Sequence, residues 1–91
     1  MGKYKLLFSE EADAELDELK KSRPNLHKKA KKLLEEIEEH PETGTGKPEK
    51  LKYDLAGFMS RRLSLENRLM YIVDEENRSV YIYSFLGHYE K

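Results

Sequence analysis

Between Glu42 and Pro48 the apolar residues of this chain change period, and that change leaves few layouts open. Upstream, Ala12, Leu16 and Leu19 recur at i, i+4 and i+7, and Leu26, Ala30, Leu33, Leu34 and Ile37 form a second, stronger stripe at helical spacing. Downstream, residues 49–52, 59–63, 68–73 and 79–86 read as strands, the last two rich in β-branched and aromatic side chains. The stretch Glu42-Thr43-Gly44-Thr45-Gly46-Lys47-Pro48 that separates the two regimes has the composition of a loop. Each helix is polar on its outer side, so each must bury its stripe against something flat. Helices followed by a run of adjacent strands therefore predict an α+β fold: a two-helix hairpin packed on one face of a mostly antiparallel, twisted sheet.

Local signals fill in the order β-α-α-β-β-β-β. Residues 3–8 alternate as a first strand with Tyr4, Leu6 and Phe8 on one face. Ser9 is placed to cap the first helix, with Glu10 and Glu11 at its positive end. Arg23-Pro24-Asn25 breaks it, and the second helix ends before His40-Pro41. Turns are expected at 54–57, 64–67 and 74–77. The expected core is Leu16, Leu19, Ala30, Leu33, Leu34, Ile37, Leu69, Tyr71 and Val73. At 91 residues the chain is read as a single domain spanning 1–91.

Alternation also assigns faces. If Leu69, Tyr71 and Val73 look toward the helices, then Arg68, Met70 and Ile72 look out from the uncovered side, where a ligand would sit. Arg61 and Arg62 split between the two faces or lie at a strand end. The net charge of −1 hides an asymmetry. Residues 9–42 carry eleven acidic and seven basic side chains, whereas 47–73 carry six basic and three acidic ones, a local excess of +3. Phosphate binding responds to that local field, although chance clustering of surface charge gives the same numbers. With no cysteine and three scattered histidines, no metal site is expected. The absence of a long apolar run predicts no membrane span, and a cytoplasmic protein.

Three stretches carry candidate chemistry: 46–52 with Lys47, Glu49 and Lys52; 60–69 with Arg61, Arg62 and Arg68; and the closing His88-Tyr89. Together they supply a carboxylate, an imidazole that titrates near neutral pH, and a cluster of cations. Those are the parts needed to cut RNA without a metal, with Tyr89 offering a ring on which a base can stack. Singly, each has a plainer reading. Glu49 stands among lysines as a solvated carboxylate would, and His88 lies near a chain end.

Gly44-x-Gly46-Lys47-Pro48-Glu49-x-Leu51-Lys52, Gly57-x-x-Ser60-Arg61-Arg62-Leu63, Glu66-Asn67-Arg68-Leu69-x-Tyr71 and His88-Tyr89 resemble, in order and spacing, the YoeB/Txe branch of the RelE-type bacterial toxins. The resemblance is specific over residues 44–89 and weak before them. It departs from the family pattern at Met59, Asn67 and Leu86. It implies a RelE-like, microbial-RNase-like fold and a type II toxin that cleaves mRNA on the ribosome, without cofactor, through the ribose 2′-OH. By position, Glu49 resembles the general base, His88 the general acid, Arg68 the cation that steadies the phosphate, and Tyr89 a residue that positions RNA. Lys47, Lys52, Arg61 and Arg62 would hold the RNA backbone. The implied partners are mRNA on the ribosome, an acidic antitoxin segment and a second copy of the chain. Two alternatives stay open: a binding protein of the same fold, such as the gyrase-inhibiting ParE branch, and an inactive or designed scaffold that only binds an antitoxin or itself. The joint presence of Glu49, Arg68 and His88-Tyr89 speaks against the ParE branch.

Overall fold

A computed structural model describes residues 3–52 and 56–87. Its elements are β1 (Lys5–Phe8), α1 (Glu10–Ser22), α2 (Pro24–Glu39), β2 (Glu49–Lys50), β3 (Phe58–Arg62), β4 (Arg68–Asp74) and β5 (Ser79–Gly87). They form a two-helix layer on a five-stranded sheet ordered β1-β5-β4-β3-β2, with β1 parallel to β5 and every other pair antiparallel. The α+β expectation holds. The parallel pair follows from the helical hairpin, because two helices between β1 and the later strands carry the chain back to the same end of the sheet.

Element ends differ from the sequence expectation for identifiable reasons. The Ser9 hydroxyl accepts the Ala12 N–H at 2.9 Å and donates to the Tyr83 carbonyl at 2.7 Å, so one side chain caps α1 and ties it to β5. Tyr4 stands outside β1 because its N–H donates to the Glu38 carbonyl of α2 at 2.7 Å. Pro24, expected in the break, opens α2 instead: at the first helical position its missing N–H has no partner to lose. β3 stops at Arg62 because the Leu63 and Ser64 N–H groups both turn to the Asn67 carbonyl.

The helices bury Ala12, Leu19, Ala30, Leu33, Leu34 and Ile37 against Met59, Leu63, Leu69, Tyr71, Val80, Ile82 and Phe85 of the sheet side. Leu16 and Val73 pack at the margin of this core, half-buried, not within it. Met70, expected on the exposed face, is buried. Its position follows from β5, which gains one residue on β4 between Ile82 and Ser84 and another between Ser84 and Gly87. The bulged strand bends, and the thioether of Met70 lies against Gly87, where a Cβ would sit 2.7 Å from its sulfur. Among the described residues no helix is long and apolar enough to cross a membrane.

Candidate functional site

On the sheet face turned away from the helices, register places Glu49 beside Ser60, Ser60 beside Met70, and Arg62 beside Arg68. Paired residues of antiparallel strands share a face, so a carboxylate and two guanidinium-bearing residues meet although they lie in three different strands. Glu49 Oε1 is 3.5 Å from Arg68 Nη1, with both side chains partly open to solvent. A cleft of about 280 Å³ is lined by Lys47, Pro48, Glu49, Arg62 and Arg68. Lys47 enters it from a loop residue in the left-handed region, φ +52°, directly after Gly46 at φ +87°. Lys52 is exposed just beyond β2. β5 ends at Gly87, which pairs with Arg68. His88 and Tyr89, the next residues in the sequence, lie outside the described residues.

Two like charges directly opposite on a sheet destabilise it, and Arg62 faces Arg68 in this way. The Glu49 carboxylate offsets part of that repulsion. The cleft therefore retains a positive excess suited to an anion. Among the described residues no group of three or more His, Cys, Asp or Glu side chains is arranged to hold a metal ion.

Arg61 is a correction. Expected as an RNA contact, it is fully buried on the helix side of the sheet, opposite Leu69. Nε donates to the Tyr71 hydroxyl at 3.1 Å, Nη1 to Glu36 Oε1 at 3.1 Å and the Thr45 carbonyl at 3.3 Å, and Nη2 to the carbonyls of His40 at 2.6 Å and Thr43 at 2.7 Å. The Tyr71 hydroxyl in turn donates to the Pro41 carbonyl at 2.6 Å. An uncovered guanidinium could not be buried there; this one is offset by a fork of acceptors that only a loop wrapped around it can present. Gly44 permits that wrapping, since a Cβ would stand 2.6 Å from Glu36 Oε1 and 3.0 Å from Arg61 Nη1, at φ +123°. Arg61 thus anchors the loop that delivers Lys47 and Glu49 without itself reaching the cleft.

The same network sets a pH dependence. Hydrogen bonds from the Thr45 N–H and hydroxyl, then the Arg61 guanidinium, hold the Glu36 carboxyl below its ordinary value. A carboxyl depressed in the folded state contributes stability that is present above the unfolded value and lost as pH falls through the folded one. Thermal melts should therefore fall as pH drops below about 4.5, and Glu36→Gln should flatten that fall. An unchanged acid limb in the variant would show that Glu36 does not set it.

A family model described as the YoeB-like toxin of bacterial type II toxin–antitoxin systems matches residues 8–89. The chain belongs to that family. Toxin YoeB of Escherichia coli K12 is 37% identical over 73 residues, covering 80% of this chain and 87% of that protein. Among solved structures, a YoeB/ParE toxin from Agrobacterium tumefaciens matches with a TM-score of 0.88 at 28% identity, covering 93% of this chain and 99% of the other. The YoeB dimer from Staphylococcus aureus matches with a TM-score of 0.85 at 35% identity, covering 96% and 99%. A YoeB–YefM complex from the same organism matches at 0.82 and 36% identity, covering 94% and 98%.

Two residues of this YoeB-like toxin escaped the sequence reading. Ser60 lies between Glu49 and Met70 with its hydroxyl buried and, among the described residues, without a hydrogen-bond partner. Its strand parity, the same as that of Arg62, was the available signal. Glu15 on α1 reaches the end of β5, accepting from Ser84, Phe85 and Leu86. No sequence signal separates it from the other glutamates of that helix, because the bulge that needs it is not visible in the alternation.

Proposed function

We propose that this YoeB-like toxin is a metal-independent endoribonuclease that cleaves mRNA on the ribosome. The observation that carries the reading is the cleft in which Arg62 and Arg68 face each other across β3 and β4 with the Glu49 carboxylate 3.5 Å from Arg68. Paired cations suit a bridging phosphate, and a carboxylate beside them suits removal of a proton from a neighbouring hydroxyl.

In the proposed reaction Glu49 takes the proton of a ribose 2′-OH. The 2′-oxygen attacks the adjacent phosphorus while the bond to the 5′-oxygen breaks, leaving a 2′,3′-cyclic phosphate. His88 gives its proton to the departing 5′-oxygen, so the second fragment carries a 5′-OH. Arg68 exchanges its contact with Glu49 for the phosphate oxygens, where negative charge grows in the transition state. That exchange also frees the carboxylate for its work as base. Arg62, Lys47 and Lys52 hold the flanking backbone, and Tyr89 orients the RNA. The nucleophile belongs to the substrate, and no cofactor enters.

The basic cleft also suits an acidic antitoxin segment, by charge complementarity. The S. aureus relatives, solved as a dimer and as a YoeB–YefM complex, support both an antitoxin partner and self-association for this chain. The site of action is the cytoplasm, where translating ribosomes are found. The test is to present one mRNA on intact 70S ribosomes and free in solution, and to analyse the ends. Cutting on the ribosome with 5′-OH products is expected. A folded protein that cuts in neither setting, yet binds an acidic antitoxin peptide, would leave only the binding-protein reading.

A further inference from the structure

The end of β5 is held by a residue of the helical layer. Glu15 Oε1 accepts the Phe85 N–H at 2.6 Å and the Leu86 N–H at 3.3 Å, and the Ser84 hydroxyl lies 3.2 Å from the same oxygen and 3.4 Å from Oε2. These three residues occupy the stretch where β5 gains two residues on β4. A bulge turns backbone N–H groups out of the ladder and re-aims the residues beyond it, and one carboxylate collects those N–H groups here. Immediately beyond, Gly87 pairs with Arg68, the cation that contacts Glu49.

We propose that Glu15 is a positioning residue: from α1 it clamps the bulge of β5 and so fixes the point, beside Arg68, from which the chain continues into His88 and Tyr89. The inference rests on the reading that His88 donates the proton. Glu15 acts from the helical layer, and its effect passes through two backbone N–H groups and the Ser84 hydroxyl. Without the clamp the bulge loses the acceptor for two adjacent N–H groups and can re-register against Met70. An acid–base pair tolerates little of this, since a displacement of about 1 Å can cost on the order of 10²-fold in rate.

The experiment compares the full chain with Glu15→Ala, Glu15→Gln and Leu16→Ala. Leu16 is the control, a half-buried neighbour on the same helix that packs at the core margin. Glu15→Ala should lower the maximal cleavage rate on ribosomes by about 10- to 100-fold, with half-saturation unchanged. Glu15→Gln keeps an acceptor oxygen and should recover most of the loss. Leu16→Ala should lower the thermal midpoint while leaving the maximal rate intact below its melt. Amide hydrogen exchange at Phe85 and Leu86 gives an independent readout, and should quicken in Glu15→Ala but not in Leu16→Ala. A folded Glu15→Ala protein that cuts at the parental rate, or whose Phe85 and Leu86 amides exchange as before, overturns the proposal. A parental chain that cuts nothing refutes the nuclease reading and the catalytic part of this one with it; the exchange comparison then decides the clamp alone.

Discussion

The Arg61→Ala protein is expected to melt roughly 15–30 °C below the parental chain, the equivalent of about 3–5 kcal/mol in a domain this small. The substitution removes every donor that serves Glu36, the Tyr71 hydroxyl and the carbonyls of His40, Thr43 and Thr45 through this guanidinium. Carbonyls aimed at a guanidinium that is itself fully buried keep part of their desolvation cost once the donor is gone, and that asymmetry sets the size of the effect. Arg61→Lys should recover only part of it, because one ammonium cannot reach acceptors spread around a planar fork. A surface phosphate contact would behave otherwise, with both variants melting close to the parent. Thermal unfolding followed by circular dichroism distinguishes the two. A midpoint within a few degrees of the parent would return Arg61 to the surface.

Glu49→Gln is expected to lower cleavage by about 10²–10⁴-fold, the range attributable to one positioned proton acceptor. The glutamine keeps the shape and the hydrogen-bonding reach but cannot take the proton. Stability should barely move, since the contact with Arg68 is 3.5 Å long and its members are partly solvated. Pairs of that kind are worth about 0–1 kcal/mol. Arg68→Ala should weaken RNA binding and slow the chemistry together, because a phosphate contact acts both before and during the reaction. Single-turnover cleavage alongside melts of the same preparations reads both quantities. A Glu49→Gln protein that cuts at the parental rate would show that the base lies elsewhere.

Most of the architecture was legible because apolar periodicity answers to burial: both helices bury one clear side, and β5 alternates over residues 79–84. The capping serine, the helical hairpin and the antiparallel run over β3, β4 and β5 all followed from residue type and spacing. The features that escaped depend on contacts between elements. A turn over residues 64–67 would pair Leu63 with Arg68 and set Arg61 opposite Met70; β3 stops one residue earlier, at Arg62, and that shift sets Arg61 opposite Leu69 on the helix side. Its charge also argued for the surface, and only the acceptors gathered by α2 and the Gly44 loop overrule that argument. The burial of Met70 and the reach of Glu15 both come from the bulge in β5, and a locally disrupted alternation looks in sequence like an ordinary run of apolar residues. Glu49 and Arg68 were recognised through their motifs, and register brings them to one cleft. Tyr4, Leu16 and Val73 changed standing because burial at a sheet margin depends on neighbours that one strand's pattern does not contain.

The assignment of Glu49 as base and His88 as acid is tested most directly by changing the leaving group. An mRNA whose scissile 5′-oxygen is replaced by sulfur releases that group without needing a proton, so the acid becomes dispensable and the base does not. On 70S ribosomes, His88→Gln should fail on the ordinary RNA and recover on the sulfur-substituted one, whereas Glu49→Gln should fail on both. Recovery of Glu49→Gln by the sulfur substrate, or cutting of ordinary RNA by His88→Gln at the parental rate, would contradict the mechanism.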